Sequence, residues 1–433
     1  MKRYSQIVVH DGNKNLIDIL DISVLSTFAG FPIHVHAEGF RGTGKTTIMR
    51  AYKSVLPFIE RIKGCEFNCD PQAPHCPKHK DLTFEEILEI GVEKIRMPFL
   101  EISASAKKGT VIGSIDLEKL MSKDDPKAAL LLGTIPKANR GIIFIDEINR
   151  LADISPEIAD VLLDVMGTKP GRIQIEEVGL PTIEIPINVT IWAASNPDEE
   201  PGPLEEVRKQ LSDRFDFVVY VEKPHSKDVV RTILEGSNKE DRLSEKIKKD
   251  LYIESKQRLG EFQINEEIKD VLALCYINFS LESIRGLESI LNGLKMLSAL
   301  YNRSVNTKDV SFLAQCALKH RTDEKNLFEI IKFIENTLMS NRIKYGEYEN
   351  NMIQKRKIEE IDNANKNNTK KNHQIPFFDK IKFMRWSIFP NKSNSKEKTL
   401  DPMNVEIKAP PQKAKSIIEL KEKDVIKTEE ELR

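Results

Sequence analysis

The stretch EGFRGTGKTT, residues 38 to 47, sets Gly39, Gly42, Gly44, Lys45 and Thr46 in and around the pattern G-x-x-x-x-G-K-[ST]. Glycines there let successive backbone N–H groups curl around a phosphate, Lys45 reaches toward β- and γ-phosphates, and the Thr46 hydroxyl can hold Mg²⁺. Thr43 and Thr47 lie in the same stretch and count with it as nucleotide-binding positions. A second stretch, GIIFIDEIN, delivers Asp146 from an apolar strand to the outer coordination sphere of that Mg²⁺ and sets Glu147 beside it to orient an attacking water. A third, NVTIWAASNPDEEPG, ends in Asn196, whose amide suits a hydrogen bond to that water or to the γ-phosphate, and equally suits the cap of a turn before Pro197. Together these residues predict hydrolysis of ATP rather than binding alone. The competing readings, a chance glycine-rich loop and a strand ending in two solvated acids, weaken because the stretches occur together and with the right flanks.

A different chemistry is concentrated in GCEFNCDPQAPHCPKHK, residues 64 to 80, with three of the five cysteines and two of the eight histidines. Cys65, Cys69, Cys76 and His79 offer three thiolates and an imidazole, with His75 in reserve, on a loop made turn-prone by Pro71, Pro74 and Pro77. Four such ligands suit tetrahedral zinc. An iron-sulfur cluster is the second choice because a histidine ligand is less usual there, and a metal-free loop with exposed cysteines stays open. Cys275 and Cys316 sit in apolar helical patterns and read as core thiols.

These residues need a sheet to carry them. The runs PIHVHAEG, MPFLEIS, GIIFIDE and NVTIWAASNP, spread over residues 5 to 225, each read as a buried parallel strand ending in a polar or glycine-rich loop, and helical stretches alternate with them. An α/β core with a parallel sheet follows. From 226 to 325 helical periodicity takes over in INEEIKDVLALCYINF, LESIRGLESILNGLKMLSALY and TKDVSFLAQCALKHR, which predicts a small all-α domain. One more amphipathic helix is expected over 326–348, with Leu327, Ile330, Ile331, Ile334 and Leu338 on one side. Residues 349–433 are charged and low in complexity, the composition of a largely disordered tail. PFFDKIKFMRWSIFP, residues 376–390, interrupts that tail with aromatic anchors suited to docking on a partner; resting on an anionic membrane and folding back on the chain's own core are the alternatives.

Composition narrows the partners. Lys and Arg number 66 against 67 Asp and Glu, a net charge of −1, so no basic excess points to nucleic acid or an anionic membrane. The opening MKRYSQIVVHDGNKN lacks the apolar core of a signal peptide, and no apolar run is long enough to span a bilayer. A cytoplasmic protein without a transmembrane segment is expected, and in that reducing compartment the Cys cluster suits metal or reactivity rather than disulfides.

The segments EGFRGTGKTT, GTIPKANRGIIFIDEINRL, DVLLDVM, SNPDEE, EEVRKQLSDRFDF, SIRGLESILNGLKMLSAL and ALKHR stand in the order and approximate spacing of the ATPase subunit of magnesium and cobalt chelatases, a clade of AAA+ proteins, over residues 5 to 325. The chain resembles that family. The GC-F-NCDP segment resembles one version of it. The resemblance implies a P-loop AAA+ core, a helical lid, ATP and Mg²⁺, a homo-oligomeric ring, usually a hexamer, and a protein partner carrying a von Willebrand factor A domain. It also implies that Arg214 in LSDRF is an arginine finger reaching the neighbouring subunit's γ-phosphate, that Arg208 is a second inter-subunit candidate, and that Arg285 in SIRG is the lid sensor. Read without the family, each arginine suits a surface ion pair, for instance Arg214 with Asp213 or Asp216. No D-x-S-x-S metal-adhesion motif occurs, so a von Willebrand-type module would belong to another chain.

RIQIEEVGLPTIEIPIN alternates apolar and polar residues around Gly179 and Pro181 and predicts a β-hairpin projecting from the core. Glu176, Glu177 and Glu184 stand there, and residues 173 to 190 contain no Lys or Arg, which disfavours a grip on DNA. Three function classes are therefore weighed: a motor that remodels a protein partner or drives metal insertion, a nucleic-acid-remodelling or transcription-regulating ATPase, and a nucleotide-dependent scaffold.

Overall fold

A computed structural model describes residues 2–115, 130–175, 182–236 and 241–340. These belong to one compact unit, Met1–Glu360. The second unit, Ile361–Arg433, lies outside the described residues, and with it the segment 376–390.

Five strands form the central sheet: β1 (Val35–Glu38), β2 (Phe99–Ile102), β3 (Ile142–Asp146), β4 (Thr190–Ser195) and β5 (Phe217–Tyr220). Their order is β5-β1-β4-β3-β2, and every neighbouring pair is parallel. Parallel strands need both faces covered, which is why β1, β3 and β4 are almost wholly buried, β3 and β4 as largely apolar runs and β1 with His36 and Glu38 buried among Val35 and Ala37. Alternation divides their side chains between two cores. Ile142, Phe144, Trp192 and Ala194 face one, and Ile143, Ile145, Ile191 and Ala193 the other. Trp192 keeps its indole N–H satisfied on Ser23 Oγ at 2.9 Å.

The first core is built with α1 (Asp11–Phe28) and α2 (Lys45–Ala51). At the start of α1, His10 Nδ1 accepts from the Gly12 N–H and Asn13 Oδ1 accepts from the His10 N–H, so two donors that the helix leaves unpaired are satisfied. The second core packs α3 (Ile148–Ile154), α4 (Pro156–Val165) and α5 (Leu204–Ser212) against the opposite face.

The four strands expected from sequence are all in this sheet; the fifth, β5, was not among them. FDFVVYV is a short apolar run directly after a helix, and nothing local separates it from the end of that helix. The hairpin strands Gly171–Ile175 and Ile183–Ile187 pair antiparallel, and Ile173, Ile175, Ile185 and Ile187 are buried, so the described part packs on the core. Exposed Glu184 faces Arg172 at 3.5 Å, while Glu176 and Glu177 lie outside the described residues.

Beyond β5 the chain is helical: α6 (Lys227–Glu235), α7 (Arg242–Arg258), α8 (Glu266–Asn278), α9 (Arg285–Tyr301), α10 (Thr307–Leu318) and α11 over 324–340. In α11 the residues Ile330, Ile334 and Leu338 are buried. Helix α9 meets the sheet where Gly293 leaves room for the Phe217 ring; a Cβ there would stand 2.8 Å from that ring.

Candidate active site and metal centre

The carboxyl ends of β1, β3 and β4 converge on one cleft of about 320 Å³, where open α/β sheets bind their ligands. Gly42, Gly44, Lys45, Thr46, Thr47, Asp146, Glu147 and Asn196 line it, together with Arg41. Gly39 and Thr43 shape the loop instead. Gly39 adopts φ +147° with the Val221 carbonyl so near that a Cβ would lie 2.3 Å from its oxygen, and the Thr43 hydroxyl donates to Phe40 O at 3.0 Å.

Lys45 is buried, and its Nζ donates to Gly39 O at 2.6 Å, Phe40 O at 2.8 Å and Asn196 Oδ1 at 2.9 Å. Burial lowers its ammonium below the ordinary lysine range, and Asp146, Asp198 and Glu199 counter part of that effect. Thr46 Oγ1 donates to Asp146 Oδ1 at 3.0 Å. That bond commits the hydroxyl proton to the carboxylate and leaves the hydroxyl lone pairs free for a cation, so this pair fits Mg²⁺. Arg50 bridges Asp146 at 3.5 Å and Glu101 at 2.9 Å.

Glu147 stands at φ +55°, a left-handed conformation that costs a non-glycine residue about 1–2 kcal/mol, between the last strand residue and α3. Its carboxylate is held by Arg150 Nη1 at 2.7 Å on the rim of the cleft. The partners Arg41, Arg50, Arg150 and Glu199 were missed in the sequence. Arg41 sits inside the phosphate loop itself, and Arg150 follows Glu147 by one helical turn, which were the available signals.

The arginines form a separate group. Arg214 Nη1 and Arg285 Nη2 both donate to Gly167 O, at 3.4 and 3.3 Å, and both line an open cavity with Asp164, Thr168 and Arg172 rather than the phosphate cleft. Burial first, then the Arg285 charge, lowers Arg214 from the ordinary arginine range. Arg285 opens α9, yet it lies beside Arg214 and not at its own chain's Lys45. Arg208 interrupts α5 with an extended backbone and pairs with Asp160 of α4.

Cys65, Cys69, Cys76 and His79 come together with their ligand atoms all within 4.8 Å of one another, and Cys76 Sγ lies 3.1 Å from His79 Nδ1. The three cysteines are buried, not exposed as the metal-free reading expected, and all are free thiols. Hydrogen bonding from Cys69, then from Cys76, pulls the Cys65 thiol far below its ordinary range. Soft donors crowded this way, on tight turns at Gly64 and Asn68 with positive φ, fit a tetrahedral metal ion. Cys275 and Cys316 are buried apart from this group, and burial pushes both thiols up to about 12.

Among the described residues no helix is long and apolar enough to cross a membrane. No protein-family model matches the chain. It is 30% identical over 299 residues to the magnesium-chelatase subunit ChlI homolog of Methanocaldococcus jannaschii, covering 66% of this chain and 78% of that protein. It is 30% identical over 318 residues to the magnesium-chelatase 38 kDa subunit of Rhodobacter capsulatus, covering 69% and 85%. Among solved structures it is similar to a chain of the magnesium chelatase BchI–BchD complex, at 26% identity and a TM-score of 0.41, over 76% of this chain and 99% of that one. By its identity to the curated relatives and the share of their length it spans, the chain belongs to the magnesium-chelatase ATPase-subunit family of AAA+ proteins.

Proposed function

We propose that the chain is a MgATP-hydrolysing motor subunit that works in a homo-oligomeric ring, a hexamer on the family's pattern, and spends the energy on a protein partner. The observation that carries this reading is the meeting of Lys45, Asn196, the Thr46–Asp146 pair and Glu147 in one cleft. Lys45 and the loop N–H groups hold the phosphates, Thr46 and Asp146 hold Mg²⁺, and Glu147 orients the attacking water. Bound Mg²⁺ supplies charge neutralisation at the β- and γ-phosphates. Among the described residues that line the cleft Arg41 is the one arginine, and its exposed side chain pairs with Glu199 at 3.1 Å, while Arg50 and Arg150 are engaged by Asp146 and Glu147. Arg214 and Arg285 sit together on another surface, an arrangement that suits donation to a neighbouring subunit's cleft.

A von Willebrand factor A protein is the partner class we propose, and metal insertion is the work that the relatives' name suggests. The centre made by Cys65, Cys69, Cys76 and His79 holds zinc in this reading, as a structural site closed by four protein ligands. The test separates binding from chemistry. Lys45→Ala should lose ATP binding, whereas Glu147→Gln should bind ATP and stop turning it over; equal loss of binding in both would overturn the assignment.

A further inference from the structure

His75 was the spare candidate ligand of the Cys/His loop, and its contacts give it a different task. Its Nδ1 lies 3.4 Å from Cys69 Sγ, and its Nε2 lies 3.1 Å from Asn139 Nδ2. The direction of both bonds follows from Asn139. Asn139 Oδ1 accepts from the Asn188 backbone N–H at 2.8 Å, and a backbone N–H can only donate. The other end of the amide is therefore the NH₂ group, which agrees with its second bond, 2.8 Å to Phe67 O. Facing an N–H, His75 Nε2 must offer its lone pair. In the neutral imidazole the proton then sits on Nδ1, aimed at the Cys69 sulfur.

We propose that His75 is a positioning residue of the metal centre: its Nδ1–H donates to Cys69 Sγ, in a tautomer imposed by Asn139, and does not ligate the metal. The inference rests on the metal reading given above. Cys69 Sγ also accepts from the Cys76 backbone N–H at 3.4 Å, so this sulfur takes two N–H donors. Three thiolates and one imidazole leave an excess of negative charge around a divalent ion, and N–H donors to sulfur offset it.

The same contacts tie the centre to the catalytic strand. Asn139 is buried three residues before β3, and Asn68 Nδ2 donates to Lys137 O at 2.8 Å in the same turn. Arg140, at φ +60°, sends Nη1 to Glu60 O at 2.6 Å and pairs with Asp70 at 2.7 Å. The loop that carries Cys69 and His75 is thus braced on the turn that leads into the strand ending at Asp146.

Cobalt(II) substitution of the full-length protein tests this, because the tetrahedral d–d bands count ligands and the sulfur-to-cobalt charge-transfer band senses hydrogen bonds to the thiolates. His79→Leu should collapse the d–d intensity. His75→Leu should keep tetrahedral bands, shift the charge-transfer band and weaken cobalt affinity ~10–100-fold. His75→Gln can accept from Asn139 and donate to Cys69, so its band and its affinity should return to within about 3-fold of the wild type. Collapse of the d–d bands in His75→Leu but not in His79→Leu would make His75 the ligand and overturn the proposal. So would wild-type spectra and affinity in His75→Leu, or a His75→Gln variant as weak as His75→Leu. A wild-type chain that takes up no cobalt or zinc would overturn the metal reading first, and this inference with it.

Discussion

In Asn196→Ala the phosphate cleft loses an amide whose oxygen accepts from Lys45 Nζ at 2.9 Å. An ammonium only donates, so that contact fixes which way the amide faces. Its Nδ2 is left with Glu199 Oε2 at 3.4 Å, a long contact that is easily given up. The N–H can therefore turn to the γ-phosphate where charge develops, a contribution of about 2.7–4 kcal/mol, or ~10²–10³ in kcat. The bond to Lys45, roughly 1.5–3 kcal/mol for a charged donor, is lost from the nucleotide-free and nucleotide-bound states alike and largely cancels in ATP affinity. Asn196→Ala should thus lower kcat ~10²–10³-fold with ATP affinity changed less than ~10-fold. Asn196→Asp sharpens the test, since it keeps an acceptor for Lys45 and removes the donor; it should be at least as slow. Steady-state ATPase rates and titration with a fluorescent ATP analogue read both quantities. An Asn196→Asp variant that turns over like the wild type would refute the argument, leaving Asn196 as an acceptor for Lys45 and nothing more.

Gly39→Ala forces φ +147° on an L-residue and a Cβ to 2.3 Å from Val221 O, so it should lower the urea midpoint by the equivalent of at least ~2 kcal/mol; an unchanged midpoint would show that the loop relaxes freely. Arg321, almost fully buried, donates to Asp213 Oδ1 at 3.0 Å and to the carbonyls of Asp213 and Phe215 at 2.7 and 2.9 Å. Arg321→Leu leaves the Asp213 and Phe215 carbonyls without their donor, while the half-exposed Asp213 carboxylate turns to water, and should cost about 1–3 kcal/mol, read as a lower unfolding temperature; an unchanged unfolding temperature would count against the network. His34 and His36 are wholly buried, and burial lowers both to about 3. Between that value and the unfolded value of about 6.5 the unfolded chain binds more protons, so stability should fall as pH drops through this window, by up to ~1.4 kcal/mol per pH unit for each histidine. In urea unfolding, His36→Gln should show a shallower slope over that range; an identical slope would remove His36 from the account.

That the phosphate-loop residues, Asp146 and Glu147 would meet in one cleft was legible because its parts are local: the glycines, Lys45 and Thr46 follow one another, and Asp146 and Glu147 end one apolar run. The same holds for the Cys/His loop, where four candidate ligands lie within 15 residues, Cys65 to His79. What the sequence hid depends on distant pairing. Arg214 and Arg285 meet because α9 packs onto the sheet, Gly293 against Phe217 and Ser289 Oγ on Asp216 Oδ1 at 2.7 Å, and no local pattern places Gly167 between them. His75 looked like a spare ligand until Asn139, 64 residues away, set its tautomer. The strand β5 carries no alternation, since it is buried on the parallel sheet, and its length of four residues gives periodicity too little to work on.

Mixing two inactive variants asks whether the cleft of one subunit is completed by the next. An Arg214→Ala subunit keeps its own Lys45, Asp146 and Glu147 but offers no finger, and a Glu147→Gln subunit offers the finger but cannot orient water. Rings containing both should recover ATP turnover, because some clefts pair an intact Glu147 with an intact Arg214, while each variant alone stays inactive. No recovery at any ratio, in rings shown by native mass spectrometry to be mixed, would contradict completion of the site by a neighbouring subunit.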